Sequence, residues 1–184
     1  MSTPNNDHAT FISRGELRLV RLLPGPLERV WQYVTDSEKR ARWFAGGLLE
    51  PRAGGKVAFA MRHADLVPDE TPPDRYKHVH ETGITLEGRV LRCEPPRLIV
   101  FTFGGDDSVV TIELTAQGSH VQLVLSHLAK GEDLPDLHNF ASGWHSHLGL
   151  LVAELEGTGR PAFWPTHARL MGEYTQLLAR AFPG

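Results

Sequence analysis

Residues 98–127 read LIVFTFGGDDSVVTIELTAQGSHVQLVLSH, and residues 137–156 read LHNFASGWHSHLGLLVAELE. The first stretch alternates. Ile99, Phe101 and Phe103 share a face, as do Val110, Ile112 and Leu114, and then Val121, Leu123, Leu125 and His127. Alternation with period two predicts half-buried strands. Gly104-Gly105-Asp106-Asp107 and Gln117-Gly118 mark the turns between them. The second stretch steps by three and four through Leu137, Phe140, Trp144, Leu148, Leu151 and Leu155, the longest helical stripe in the chain. An antiparallel sheet with one apolar face needs cover, and a long amphipathic helix directly after it supplies that cover.

Working outward, Ile84 to Cys93 reads as a further strand, closed by a turn at Pro95-Pro96. Gly15 to Leu23 reads as the first strand, with Leu17, Leu19 and Arg21 on one face. Pro24-Gly25-Pro26 breaks it, and Leu27, Val30, Trp31 and Val34 form an apolar helical stripe. Thr35 and Glu38 have capping-box spacing for a second short helix carrying Ala41, Trp43 and Phe44. Gly54-Gly55 turns into a strand with Val57, Phe59 and Met61 on one face. Residues 63–82, with Pro68, Pro72 and Pro73, read as a long exposed loop. Pro165 opens a last helix with Leu170, Met171, Tyr174, Leu177, Leu178 and Ala181 on one side. Residues 1–12 are polar and read as a flexible N-terminus, leaving 13–184 as a single domain. The fold class is α+β: a curved antiparallel sheet wrapped around a long C-terminal helix. Two short helices follow the first strand, and one extra helix ends the chain.

Composition narrows the function. A net charge of −3 offers no basic face for nucleic acid or an anionic membrane. No apolar run approaches the length of a membrane span, and the N-terminus has no signal-peptide pattern. Cys93 is the single cysteine, so an intrachain disulfide is excluded and a cytoplasmic location is expected. Its strand position predicts a buried, inert thiol.

Five runs carry a resemblance. These are PLERVWQYVTDSEKRARWF (26–44), PRAGGKVAF (51–59), GRVLRCEPPRLIVFTF (88–103), HVQLVLSHLAKGED (120–133) and GWHSHLGLLVAELEG (143–157). In this order, over nearly the whole chain, they resemble the family of homologues of the activator of the heat-shock-protein-90 ATPase. That family falls within the START, polyketide-cyclase and pollen-allergen-like superfamily. The resemblance implies the helix-grip fold and a cavity between sheet and long helix that often holds an apolar ligand. Superfamily members range from lipid carriers to aromatases and cyclases, so fold alone does not assign an activity.

The inward faces supply the candidate ligand-binding residues: Trp31, Trp43, Phe44, Phe59, Met61, Phe101, Phe103, Leu123, Leu125, Trp144, Leu148 and Leu151. Large aromatics in this pattern fill a core or line a pocket, and the pattern does not separate the two. His127 and His147 are the candidate polar handles, able to orient a ligand or move a proton, or simply to pair within the core. No catalytic residue is assigned: the chain has no nucleophile elbow and no glycine-rich phosphate loop. The ten histidines include no helical pair at metal-binding spacing, so no metal or other cofactor is expected. The leading expectation is a binding protein for a small apolar or amphipathic ligand. The alternatives are a cyclase- or dehydratase-type enzyme in the same pocket and a stress-response or chaperone-associated interaction protein. The last helix is expected to pack on its own domain, with a homodimer as the other use of its apolar face.

Overall fold

The computed structural model describes residues 4–130 and 137–183. Its strands are β1 (Thr10–Ser13), β2 (Glu16–Pro24), β3 (Gly46–Leu49), β4 (Lys56–Met61), β5 (Ile84–Glu94), β6 (Leu98–Thr102), β7 (Ser108–Gln117) and β8 (His120–Ala129). The helices are α1 (Leu27–Thr35), α2 (Ser37–Arg40), α3 (Lys77–Glu81), α4 (Leu137–Glu156) and α5 (Phe163–Ala181). All strand pairs are antiparallel in the order β1-β2-β8-β7-β6-β5-β4-β3. This is the helix-grip arrangement that the alternating runs and the long stripe predict.

The sheet curves where β5 changes partner. Its N-terminal half pairs with β4 and its C-terminal half with β6, and the register slips between Val90 and Arg92. Gly88 stands at this corner, where a Cβ would come 2.2 Å from the Thr102 carbonyl oxygen. A bulge and a side-chain-free residue let two backbones approach and the sheet bend.

Leu17, Leu19, Ile99, Ile112, Leu123 and Leu125 of the sheet's inner face are buried in one core with Ala141, Leu148 and Leu151 of α4, which lies against β2. The buried residues of α4 extend well beyond one stripe, to Ala141, Ser146, His147, Leu150 and Ala153, because α5 covers a second side of the helix. Ser142 and Ser146 tolerate this burial by bonding back to the carbonyls of His138 and Ser142.

Four parts of the fold differ from the sequence reading. Residues 4–13 are built into the fold as a 3-10 turn and the edge strand β1. Asn5 bonds both the N–H and the carbonyl of Leu22, and Arg21 donates to the Pro4 and Asp7 carbonyls. Short polar segments tied by side chains carry no hydrophobic period to read. The strand β3 was also not anticipated, for it is four residues long and contains two glycines. Asp36, not Thr35, caps α2 by accepting from the Lys39 N–H, while Thr35 bonds back to Trp31. That helix ends at Arg40, so Trp43 and Phe44 leave from the following turn. Residues 63–82, finally, are not an exposed loop. They hold two 3-10 turns and α3, with His63, Leu66, Val67 and His80 buried. Prolines break this segment into pieces too short to show a period.

Arg40 ties the two short helices to the sheet. It is buried, donates to the carbonyls of Val34, Thr35, Ala45 and Gly47, and lies 4.9 Å from the Phe59 ring centre. Burial lowers its pKa to about 10, with Asp36 pulling the other way. The planar guanidinium offers five donors in a fixed fork, against three on a lysine ammonium.

Candidate functional site

An α-helix brings positions three, four and seven apart onto one side. On α4 this aligns Asn139, Phe140, Gly143, Trp144 and His147. Gly143 leaves room there, since a Cβ added to it would meet nothing within 4 Å. Opposite stand Met61 at the end of β4, Ile84 and Leu86 on β5, Phe103 just after β6, and Phe44 from the turn after α2. The first turn of α5 adds Phe163, Trp164 and His167, and the 63–81 segment adds His63, Tyr76 and Val79. Together they line a partly open pocket with a cavity volume of about 260 Å³.

Three contacts hold the closing elements in place. The Glu70 carboxylate accepts the backbone N–H groups of Phe163 (2.8 Å) and Trp164 (2.7 Å). It thereby satisfies free donors at the start of α5 and sets a negative charge at the positive end of its dipole. The Trp164 indole donates to Nδ1 of His80 at 3.1 Å. The Tyr76 hydroxyl donates to Oδ1 of Asn139 at 2.7 Å, joining the 63–81 segment to α4.

The cavity walls are aromatic. Phe44 stacks on Trp144 with ring centres 5.0 Å apart, and Tyr76 stacks on Trp164 at 5.1 Å. His63 lies 4.8 Å from Trp164 and 5.3 Å from His147. Burial, reinforced by His63 and His167 alongside, lowers the pKa of His147 to about 3, with the Trp43 carbonyl pulling upward. Burial likewise lowers His63 to about 4, helped by His80 and His167, and His167 to about 4, helped by Arg75. All three imidazoles are therefore neutral near pH 7. His147 donates from Nδ1 to the Trp43 carbonyl at 2.8 Å, which leaves Nε2 as its acceptor nitrogen. The Nδ1 atoms of His63 and His167 are buried without a hydrogen-bond partner.

Of the candidates named from sequence, Phe44, Met61, Phe103, Trp144 and His147 come together on this wall. Phe59, Phe101, Leu123, Leu125, Leu148 and Leu151 lie in the packed core and line no part of the cavity. Trp43 is also in the core, its indole N–H donating to the Tyr33 carbonyl. Trp31 is half-buried at the edge of the core, away from the cavity. Alternation identifies the inward face of a strand but not which end of the sheet the helix leaves open.

His127 is no free handle either. The Trp144 indole donates to its Nδ1 at 2.9 Å, and its Nε2 meets the Ser108 hydroxyl at 2.7 Å. Both nitrogens are engaged, and burial lowers its pKa to about 4. Cys93 is half-buried, and its thiol pKa is raised by burial. The wall residues that sequence reasoning missed are His63, Tyr76, Val79, Ile84, Leu86, Asn139, Phe140, Gly143, Phe163, Trp164 and His167. One signal was available for some of them: Asn139, Phe140 and Gly143 recur at helical spacing with Trp144 and His147.

Among the described residues, no three His, Cys, Asp or Glu side chains cluster as a metal site, and no helix is long and apolar enough to cross a membrane. The family model described as "Activator of Hsp90 ATPase homolog 1-like protein" matches residues 24–156. The chain is similar to the protein encoded by gene BPP1335 of Bordetella parapertussis, with 38% identity, a TM-score of 0.77, and coverage of 96% of this chain and 95% of that one. It shares its fold with CalU16 from Micromonospora echinospora (22% identity, TM-score 0.65, covering 93% and 94%). The same holds for EF2215 from Enterococcus faecalis, a conserved protein of unknown function (17% identity, TM-score 0.69, covering 97% and 94%). No match is found among curated proteins.

Proposed function

Because the chain belongs to the Activator of Hsp90 ATPase homolog 1-like family, we propose that it binds a small apolar or amphipathic molecule in the cavity between the sheet, α4 and the first turn of α5. The observation that carries this reading is the cavity of about 260 Å³, walled by Phe, Tyr and Trp rings and aliphatic side chains with a few polar groups set among them. Ligand sites have this make-up, whereas a packed core leaves few voids larger than a water molecule. The polar handles are His147, which the sequence also offers, with His63 and the Tyr76–Asn139 pair in place of His127.

Binding is favoured over cyclase or dehydratase chemistry by the state of His147. A general base works best with a pKa near the operating pH, and one near 3 is a weak base at neutrality. An interaction with chaperones rests on the family description alone.

The test is native mass spectrometry of freshly purified protein beside a Gly143→Leu variant, which adds a side chain at a lining position with open space around its Cβ. The expected result is an extra mass on the wild type that is lost on denaturation and is missing from the variant. An extra mass retained in Gly143→Leu would place the ligand elsewhere and contradict the reading.

A further inference from the structure

Resting on the cavity reading above, we infer that this site selects uncharged, flat aromatic molecules that carry a hydroxyl or N–H donor. Nε2 of His147 accepts that hydrogen bond, and carboxylates of the same shape are turned away. The hydrogen of His147 is fixed on Nδ1 by the Trp43 carbonyl. No bond from Nε2 to the protein accompanies it among the described residues, so the lone pair of a nearly fully buried ring is left for a ligand donor. The same wall holds two more imidazole nitrogens without partners, Nδ1 of His63 and of His167. Burial keeps these rings neutral, so the wall has no imidazolium to meet an anion.

The rest of the lining supports the choice. Among the described residues, neither lysine nor arginine belongs to the wall. The charge of Arg75 reaches His167, but its guanidinium sits over the Tyr76 ring at 5.5 Å, outside the lining. A carboxylate entering here would lose its hydration without gaining a charge partner, a heavy penalty. A neutral donor would instead satisfy a buried acceptor, and its ring would meet the faces and edges of Phe44, Phe103, Trp144, Phe163 and Trp164. An aliphatic chain could fill the space but would leave the acceptor unpaired.

Three probes of one ring system separate these terms: 2-naphthol, 2-methylnaphthalene and 2-naphthoate, titrated near neutral pH and followed by NMR chemical shifts. The expected order is naphthol first, methylnaphthalene weaker by roughly tenfold, the net worth of one buried hydrogen bond, and naphthoate weakest. With naphthol alone, the ¹⁵N resonance of His147 Nε2 moves upfield. In His147→Phe the advantage of naphthol disappears while methylnaphthalene still binds. Naphthoate binding as tightly as naphthol, equal binding of naphthol and methylnaphthalene, or a preference that survives in His147→Phe would each overturn the inference while leaving the cavity reading in place. If none of the three binds, the cavity reading fails and the inference with it. Should His147→Phe not fold, the Nε2 resonance in the wild type decides: one that naphthol leaves unmoved overturns the assignment.

Discussion

Nδ1 of His147 donates to the Trp43 carbonyl at 2.8 Å, joining the middle of α4 to the turn that follows α2. One bond thus connects the cavity wall to the packed end of the core and decides which imidazole nitrogen faces a ligand as acceptor. His147→Gln, whose amide can both donate and accept, should retain most of the stability. His147→Leu leaves the Trp43 carbonyl unpaired and should cost about 2 kcal/mol. Urea unfolding of the two variants checks this, and equal stability would contradict it.

Trp144 and His127 form the second such tie. The indole N–H and the Ser108 hydroxyl both depend on the same buried ring. His127→Leu should destabilise the protein by about 2 kcal/mol, because the buried indole N–H loses its partner and the half-buried Ser108 hydroxyl loses one of its own. Its effect on binding should be small, for His127 is not part of the cavity wall. A variant of normal stability that no longer binds would reverse this assignment.

Gly143 gives a change of the opposite sign. It lies inside α4, has open space at its Cβ position and lines the cavity. Leucine there should raise stability by about 1 kcal/mol through helix propensity, before any gain from filling the void. Binding should be lost at the same time. A thermal melt and a ligand titration on one sample test both halves.

Acid should destabilise the fold through its buried histidines. Burial is the first cause of each shift: His63, His127 and His167 fall to about 4, and His145 and His147 to about 3. In the unfolded chain a histidine takes up its proton near pH 6.5. Between that value and about 3 the unfolded state therefore binds more protons than the folded one. Stability is fully present above about pH 6.5 and is lost progressively as pH falls through the window. Urea midpoints measured from about pH 7.5 down to about pH 4.5 should decline steadily over this range. A flat profile between about pH 7 and pH 5 would contradict the buried, neutral state of the cluster.

The 63–81 segment should report on the start of α5. Glu70→Gln removes the charge that meets two backbone donors and should cost about 1 kcal/mol. Hydrogen exchange at the Phe163 and Trp164 amides should quicken. Unchanged protection there would mean that the Glu70 contact does not hold the cavity closed.

The sheet and the long helix were legible because their residues repeat with a fixed period. Ile99 and Phe101, or Trp144 and Leu148, declare a buried face whatever surrounds them. The cavity was half legible for the same reason. Period places Phe103 and Trp144 inward, but the cavity exists because α4 leaves one end of the sheet to be closed by other elements. Those closing residues carry no period: His63 and Tyr76 sit in a proline-broken segment, and Phe163 and Trp164 precede Pro165. His127 and His147 looked alike in sequence and differ only in their partners. One spends both nitrogens on Trp144 and Ser108, and the other spends a single nitrogen on Trp43. Arg40 was hidden because its burial depends on four carbonyls that converge only after folding.

A bound aromatic ligand would occupy the space between Met61, Trp164 and Gly143. The most direct measurement is a set of intermolecular nuclear Overhauser effects between 2-naphthol and protein carrying ¹³C-labelled methionine and leucine methyl groups. Contacts are expected from the naphthol ring to the methyl groups of Met61 and Leu86, with their loss in Gly143→Leu. Contacts to methyl groups remote from the cavity, such as those of Leu48 or Leu91 on the exposed surface, with none to Met61, would contradict it.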